Sequence, residues 1–289
     1  MYSNLNPRTM GLNHHSFEDL LKAAHAAGFK GIEVPAGAFG NANAAKEARK
    51  RMDDLDMRFG LIMAPCDMYK VNDDEFTKAL STFEKWAYLA NLAGCSRAYN
   101  HIWPGNDSRD YEENYEWHVK RLNAIYQILH NNGIRYGLEF MGPKTVQEQF
   151  QYGFIRSLMG VVSLTQEVSA NIGFVFDTIH WYCSGESPDD LYYAAIHPQK
   201  VVNLHICDAI SAADRQIDAQ RAMPMETGRI DSVAILRLFN KHGYDGPVIV
   251  EPMQPTTTRY ESMPLIDAAK DALTCIHGVF DAAGVIDGQ

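Results

Sequence analysis

Several features are scarce or missing in this sequence, and each shortage argues against a class of protein. No apolar run approaches the roughly 20 residues of a membrane-spanning helix, so no membrane partner is expected. Met1 to Arg8 is polar and lacks the apolar stretch of a secretory leader. Cysteine is sparse. Cys66, Cys95, Cys183, Cys207 and Cys275 are scattered, odd in number and form no C-x-x-C pair. That argues against a disulfide framework or a thiolate zinc site and fits reduced thiols in a cytoplasmic protein. Positive charge is short too, with 26 Lys and Arg against 36 Asp and Glu for a formal charge of −10. A surface that neutralises phosphates needs the opposite balance, so nucleic acid is not an expected partner. No stretch rich in Pro, Gly or Ser divides the chain, and no G-x-G-x-x-G turn follows a strand-like run. One domain over residues 1–289 is the expectation.

The composition that remains is globular, with 46% apolar and 21% charged residues. A chain of 289 residues can bury a large core. Its pattern is an alternation. Ser16 caps a helix with Asp19 three residues on, Leu20, Leu21, Ala24 and Ala27 mark its apolar face, and Gly28 ends it. Residues 29–35 then read as a strand. Helical composition over 43–55 and a strand over 59–63 repeat the unit. Helices follow at 73–93, 111–131, about 145–169 in two pieces, after Ser187-Pro188, at 232–242 and at 264–283. Strands follow at 96–102, 135–140, 172–177, 201–206 and 247–251. Phe76, Phe83 and Trp86 fall on one helical face and read as core. With a first strand near Thr9 to Asn13, eight strands alternate with about eight helices. Such alternation predicts an α/β protein with a parallel sheet covered by helices, and eight units of this length fit a closed (β/α)₈ barrel.

Four strands end in a residue that can bind metal. Glu139 closes Tyr136-Gly137-Leu138-Glu139, Asp177 closes Phe174-Val175-Phe176-Asp177, His205 closes Asn203-Leu204-His205, and Glu251 closes Ile249-Val250-Glu251. They lie 38, 28 and 46 residues apart, each about one strand–helix unit. In a parallel barrel the C-terminal strand ends meet at one mouth, where the active sites of such barrels lie. Three carboxylates and one imidazole suit one divalent ion such as Mn²⁺, Mg²⁺, Co²⁺ or Zn²⁺.

Leu138-Glu139-Phe140, Phe176-Asp177-Thr178-Ile179-His180, His205-Ile206-Cys207-Asp208 and Val250-Glu251, with Gly28-Phe29-Lys30-Gly31-Ile32-Glu33 near the start, resemble the xylose isomerase-like TIM barrel superfamily of sugar phosphate isomerases and epimerases. Within it the chain is most similar to the inosose isomerase and ketose 3-epimerase branches, through Leu138-Glu139-Phe140-Met141-Gly142 and Arg221-Ala222-Met223-Pro224. The resemblance implies a metal ion, Mn²⁺ first, held by Glu139, Asp177, His205 and Glu251. Glu139 and Glu251 would also move protons on either side of a cis-enediolate formed beside a carbonyl. His180 would bind a substrate oxygen or orient a ligand, and Arg221 would anchor a substrate oxygen or carboxylate. His101 and Trp103 after strand four would contact the substrate, and Trp181, His14 and Glu33 would join the mouth. His197, before Pro198, reads as a loop residue. The implied substrate is a keto sugar, keto-inositol or similar polyol, and the implied assembly a homodimer or homotetramer. Pro224-Met225-Glu226-Thr227-Gly228 departs from the family's Pro-Gly-x-Gly, near the expected mouth.

A metal-dependent lyase is the main alternative. Dehydratases of inosose or dehydroshikimate begin with the same proton abstraction, and a C-glycoside deglycosidase subunit is a further form. An endonuclease IV-like nuclease needs more histidines than Met63 and His205-Ile206-Cys207 supply. A non-catalytic sugar-binding barrel would not need both glutamates.

Overall fold

The computed structural model describes residues 1–34, 38–66 and 68–289. Eight parallel pairings run in sequence and close on themselves. The first strand, Tyr2–Leu5, pairs with both the second, Gly31–Ile32, and the eighth, Pro247–Val250. The third strand closes the cylinder by dividing. Arg58–Phe59 pairs with strand two, the chain crosses at Gly60-Leu61, and Ile62–Met63 pairs with strand four, Arg97–Ile102. Strands five, six and seven are Arg135–Phe140, Gly173–Asp177 and Val201–Ile206. Leu61, Tyr99, Val175 and Val202 pack inside the cylinder, and a far larger apolar layer lies between strands and helices.

The helices begin where the sequence places caps. Ser16 accepts from the Asp19 N–H and starts Phe17–Ala27, which Gly28 ends in the left-handed region at φ 108°. Asn72 with Glu75, and Asp110 with Glu113, form reciprocal capping boxes for the long helices Asp73–Ala93 and Tyr111–Asn131. The predicted helix over 145–169 is two pieces, Lys144–Gln147 and Leu158–Val168. Ser187 caps Pro188–Ile196. Phe76 and Phe83 are buried, with Trp86 packed against them.

Three expectations need correction. The first strand is Tyr2–Leu5, not Thr9–Asn13. Residues 7–12 instead fold into a turn, with the Leu12 N–H bonded to the Pro7 carbonyl at 2.8 Å and Gly11 at φ 74°. The real strand is half polar, which hides it in the sequence. Its Ser3 is held at long range by both oxygens of Asp287 at 2.8 and 2.7 Å. The second strand shrinks to two residues, and its predicted end at Pro35 lies outside the described residues. A helix that the alternation omits, Thr178–Cys183, follows strand six directly. No helix among the described residues is long and apolar enough to cross a membrane, and no disulfide links their cysteines.

Candidate metal centre

Glu139, Asp177, His205 and Glu251 come together at the C-terminal mouth, each with a ligand atom within 4.8 Å of the others. Extended strands deliver all four, and all four are buried. Nδ1 of His205 lies 2.9 Å from Glu139 Oε1, 3.0 Å from Glu251 Oε2 and 3.9 Å from Asp177 Oδ2. Asp177 splits its two oxygens. Oδ1 accepts the Ile179 N–H at 2.9 Å and so caps the short helix Thr178–Cys183. Oδ2 is left for the cluster.

Arg221 reaches the same centre and is buried there. Its Nη1 donates to Asp177 Oδ2 at 2.9 Å and to Glu251 Oε2 at 2.8 Å, while Nη2 donates to Asp218 Oδ1 at 2.7 Å. A two-residue strand, Asp208–Ala209, pairs antiparallel with Gln220–Ala222 and holds Arg221 in place. His180 is buried on the first turn of the short helix, with Nε2 3.4 Å from Asp177 Oδ2 and Nδ1 3.8 Å from Asp218. Gly142, in the segment that resembles the inosose isomerase branch, passes against this helix. A Cβ there would overlap the His180 carbonyl.

Burial opposes the charge of Glu139, but His205 and His101 outweigh it and hold the carboxyl well below its ordinary range. Burial likewise opposes a charge on His205, yet Glu139 and Glu251 hold its proton well above the usual imidazole range. Asp177 goes the other way. Burial, with Glu251 and Glu139 nearby, lifts it well above the carboxylate range against the pull of Arg221. Three buried carboxylates this close repel one another unless cations lie among them. Glu139 Oε1 is buried and accepts no well-directed hydrogen bond, its nearest nitrogen being His205 Nδ1 at 2.9 Å. An oxygen of that kind, on a floor of three carboxylates and an imidazole, fits a divalent ion.

A cavity of about 600 Å³ opens over the cluster. Met63, Trp103, Met141 and Met253 add apolar surface to its lining. His101 lines it too, and its Nε2 lies 3.0 Å from Glu139 Oε2, so the ring braces that carboxylate as well as facing the cavity. Trp103 is 38% exposed at the rim. Trp181 does not join the mouth. Its indole N–H donates to the Ser187 carbonyl at 2.9 Å and its ring packs toward Phe176. His14 is exposed and stays with its own turn, Nδ1 lying 3.1 Å from the Gly11 carbonyl. His197 turns back to the Tyr193 carbonyl at 2.8 Å. Glu33 lines an adjoining cavity of about 340 Å³ with Arg8 and Tyr99, and burial pushes its carboxyl up to about 8.

The irregular Pro224–Gly228 stretch is also not at the mouth. Among the described residues lining the main cavity, none comes from 224–228. This loop wraps Asp208, whose carboxylate accepts the N–H groups of Ala209, Thr227, Gly228, Arg229 and Ile230 at 2.7–3.2 Å. Sequence reasoning missed Asp208 as an anchor, Asp218 as the partner of Arg221, and Arg8 at the cavity wall. Asp208 stands inside the seventh-strand motif and was legible there. Arg8 and Asp218 sit in loops with no spacing to mark them.

A parallel barrel with this donor set at its C-terminal mouth defines an α/β barrel with a candidate metal site. The chain belongs to the xylose isomerase-like TIM barrel family, whose model matches residues 21–276. It is 28% identical over 156 residues to an inosose isomerase of Halalkalibacterium halodurans, a match covering 53% of this chain and 51% of that protein. The aligned stretch thus spans about half the length of that relative. Among solved structures, the IOLI protein with a binding zinc atom superposes at TM-score 0.78 and 18% identity, over 96% of this chain and 98% of that one. An L-ribulose 3-epimerase superposes at TM-score 0.68 and 17% identity, over 98% and 96% of the two chains. At these identities the structures speak to the fold.

Proposed function

We propose that this protein is a divalent-metal-dependent isomerase or epimerase of a keto sugar or keto-inositol. One observation carries the reading: Glu139 and Glu251, both lining the cavity, converge with Asp177 and His205 within 4.8 Å. A bound divalent ion, Mn²⁺ first, would polarise the substrate carbonyl and stabilise charge on its oxygens. Glu139 and Glu251 line the same cavity floor, so one carboxylate can take the carbon-bound proton while the other returns a proton. Arg221 and His180 offer N–H groups to substrate oxygens, and Asp218 fixes the direction of Arg221. His101 holds one oxygen of Glu139 and leaves the other for the reaction. The apolar surface of Trp103 and three methionines suits the C–H face of a polyol ring and keeps water from the exchanging proton.

Metal analysis of the purified protein tests this, together with NMR of ketoses and inososes in D₂O. The expected result is about one metal ion per chain and deuterium entering beside a carbonyl without loss of water. Glu139→Gln and Glu251→Gln should each lose the exchange. Release of water from the adjacent carbon would make the protein a dehydratase instead. No bound metal, or metal retained equally by both variants, would overturn the four-ligand centre.

A further inference from the structure

The N-terminal end of the barrel, opposite the metal centre, carries an unusual charge pattern for a protein of formal charge −10. Strands three, four and five begin with Arg58, Arg97 and Arg135. Arg97 and Arg135 face each other in register across neighbouring strands. Like charges placed this way destabilise a sheet unless something lies between or beside them.

Their carboxylate partners are few. Among the described residues no carboxylate forms an ion pair with Arg58 or Arg135. Arg135 spends its Nη2 on two backbone carbonyls, Gln199 and Val201. Arg58 lies over the Tyr2 ring, 5.1 Å from its centre. Arg97 is the least satisfied. Its side chain is only 14% exposed, yet its nearest carboxylate is Asp245 at 4.0 Å, and that aspartate is 88% exposed. Ser96 Oγ lies 3.5 Å from Nη1, and Nε has no partner among the described residues. The other buried guanidiniums contrast with it. Arg121 and Arg221 each donate to several close acceptors, carboxylates among them. A buried cation without a close partner is costly.

Arg58 and Arg97 border a pocket. It measures about 170 Å³ and is lined by Tyr2, Arg49, Asp53, Arg58, Ser96 and Arg97 together with apolar groups. That volume equals five or six liquid waters at ~30 Å³ each, enough for a tetrahedral oxyanion. Its one carboxylate, Asp53, is already paired with Arg49 at 3.2 Å. What remains facing the pocket is donor-rich: two guanidiniums and the Ser96 hydroxyl. The buried Tyr2 hydroxyl beside them also lacks a partner.

We propose that this pocket binds a phosphate-class oxyanion, gripped by Arg58 and Arg97, and that the anion stabilises the N-terminal end of the barrel. Guanidinium forks match phosphate oxygens better than they match water, and two forks from adjacent strands converge on one small volume. The site is separate from the proposed catalytic mouth and stands whether or not the metal reading holds.

Thermal unfolding of the full chain at fixed ionic strength, with chloride replaced stepwise by inorganic phosphate, tests the site. The wild-type melting temperature should rise saturably, by about 5 °C at high occupancy. Glycerol phosphate in a parallel titration separates a site for free phosphate from one that admits a phosphate ester. Arg58→Gln, at an exposed position, should keep the fold and shift half-saturation about tenfold, and Arg97→Gln should abolish the rise. Arg8→Gln, at the opposite mouth, should leave the titration unchanged. A rise no larger than chloride gives would overturn the proposal. So would half-saturation unchanged in Arg58→Gln, or a rise lost in Arg8→Gln alone.

Discussion

Glu33 shows what a single buried carboxyl does to the whole chain. Its pKa rises to about 8 because burial penalises the charge, with Glu251 and Glu139 adding to the effect against His205 and Arg8. The folded state therefore holds a proton that the unfolded state releases above its ordinary pKa of 4.5. This stabilisation is fully present below 4.5 and is lost as pH rises through 8. Glu33→Gln should flatten that fall, so the variant should gain in melting temperature on wild type between pH 5 and pH 8.5. Equal pH slopes for the two proteins would contradict the burial argument. His101 acts on the centre through Glu139, whose Oε2 its Nε2 contacts. His101→Gln should lower kcat about tenfold with little change in KM, the usual effect of loosening a ligand's outer partner. Steady-state kinetics on the substrate found by the D₂O screen would check this.

Short elements place the polar side chains. Arg221 reaches the centre because Asp208–Ala209 pairs with Gln220–Ala222, and that pair depends on Asp208 collecting five backbone N–H groups. Asp208→Asn keeps the size and loses the charge and half of the acceptor capacity. It should cost about 2 kcal/mol in urea unfolding and raise KM through Arg221, with the metal retained. The long helices were legible to the residue, because Asn72 with Glu75 and Asp110 with Glu113 write their beginnings locally. Thr178–Cys183 was not. Six residues of mixed β-branched and aromatic type show no period, and the helix exists because Asp177 caps it. The first strand was hidden for the same kind of reason. Ser3 and Asn4 read as polar, but Asp287 bonds Ser3 and the absence of a Cβ at Gly31 and Gly60 leaves room for the Asn4 side chain.

At the level of the whole molecule, the candidate metal centre would link metal binding to stability. Glu139, Asp177, His205 and Glu251, from strands five to eight, meet only when the barrel is closed, so an ion bound there would favour the folded state by mass action. Dialysis against a chelator should lower the melting temperature by several degrees, and Mn²⁺ should restore it. Neither step should move the melting temperature of Glu139→Gln or Glu251→Gln. A chelator effect equal in all three proteins would place the metal elsewhere.

The sequence by itself determined the alternation of strand and helix, the long helix boundaries and the order of Glu139, Asp177, His205 and Glu251. These depend on neighbours within a few residues and on the constant length of one strand–helix unit. Only the tertiary structure decided how the third strand splits to close the cylinder, and that Arg221, Asp218 and Arg8 turn inward. It also turned Trp181 and the 224–228 loop away from the mouth and set Arg97 beside Arg135. Those outcomes come from contacts between residues far apart in the chain, where burial and charge pairing choose among directions that local pattern leaves equivalent.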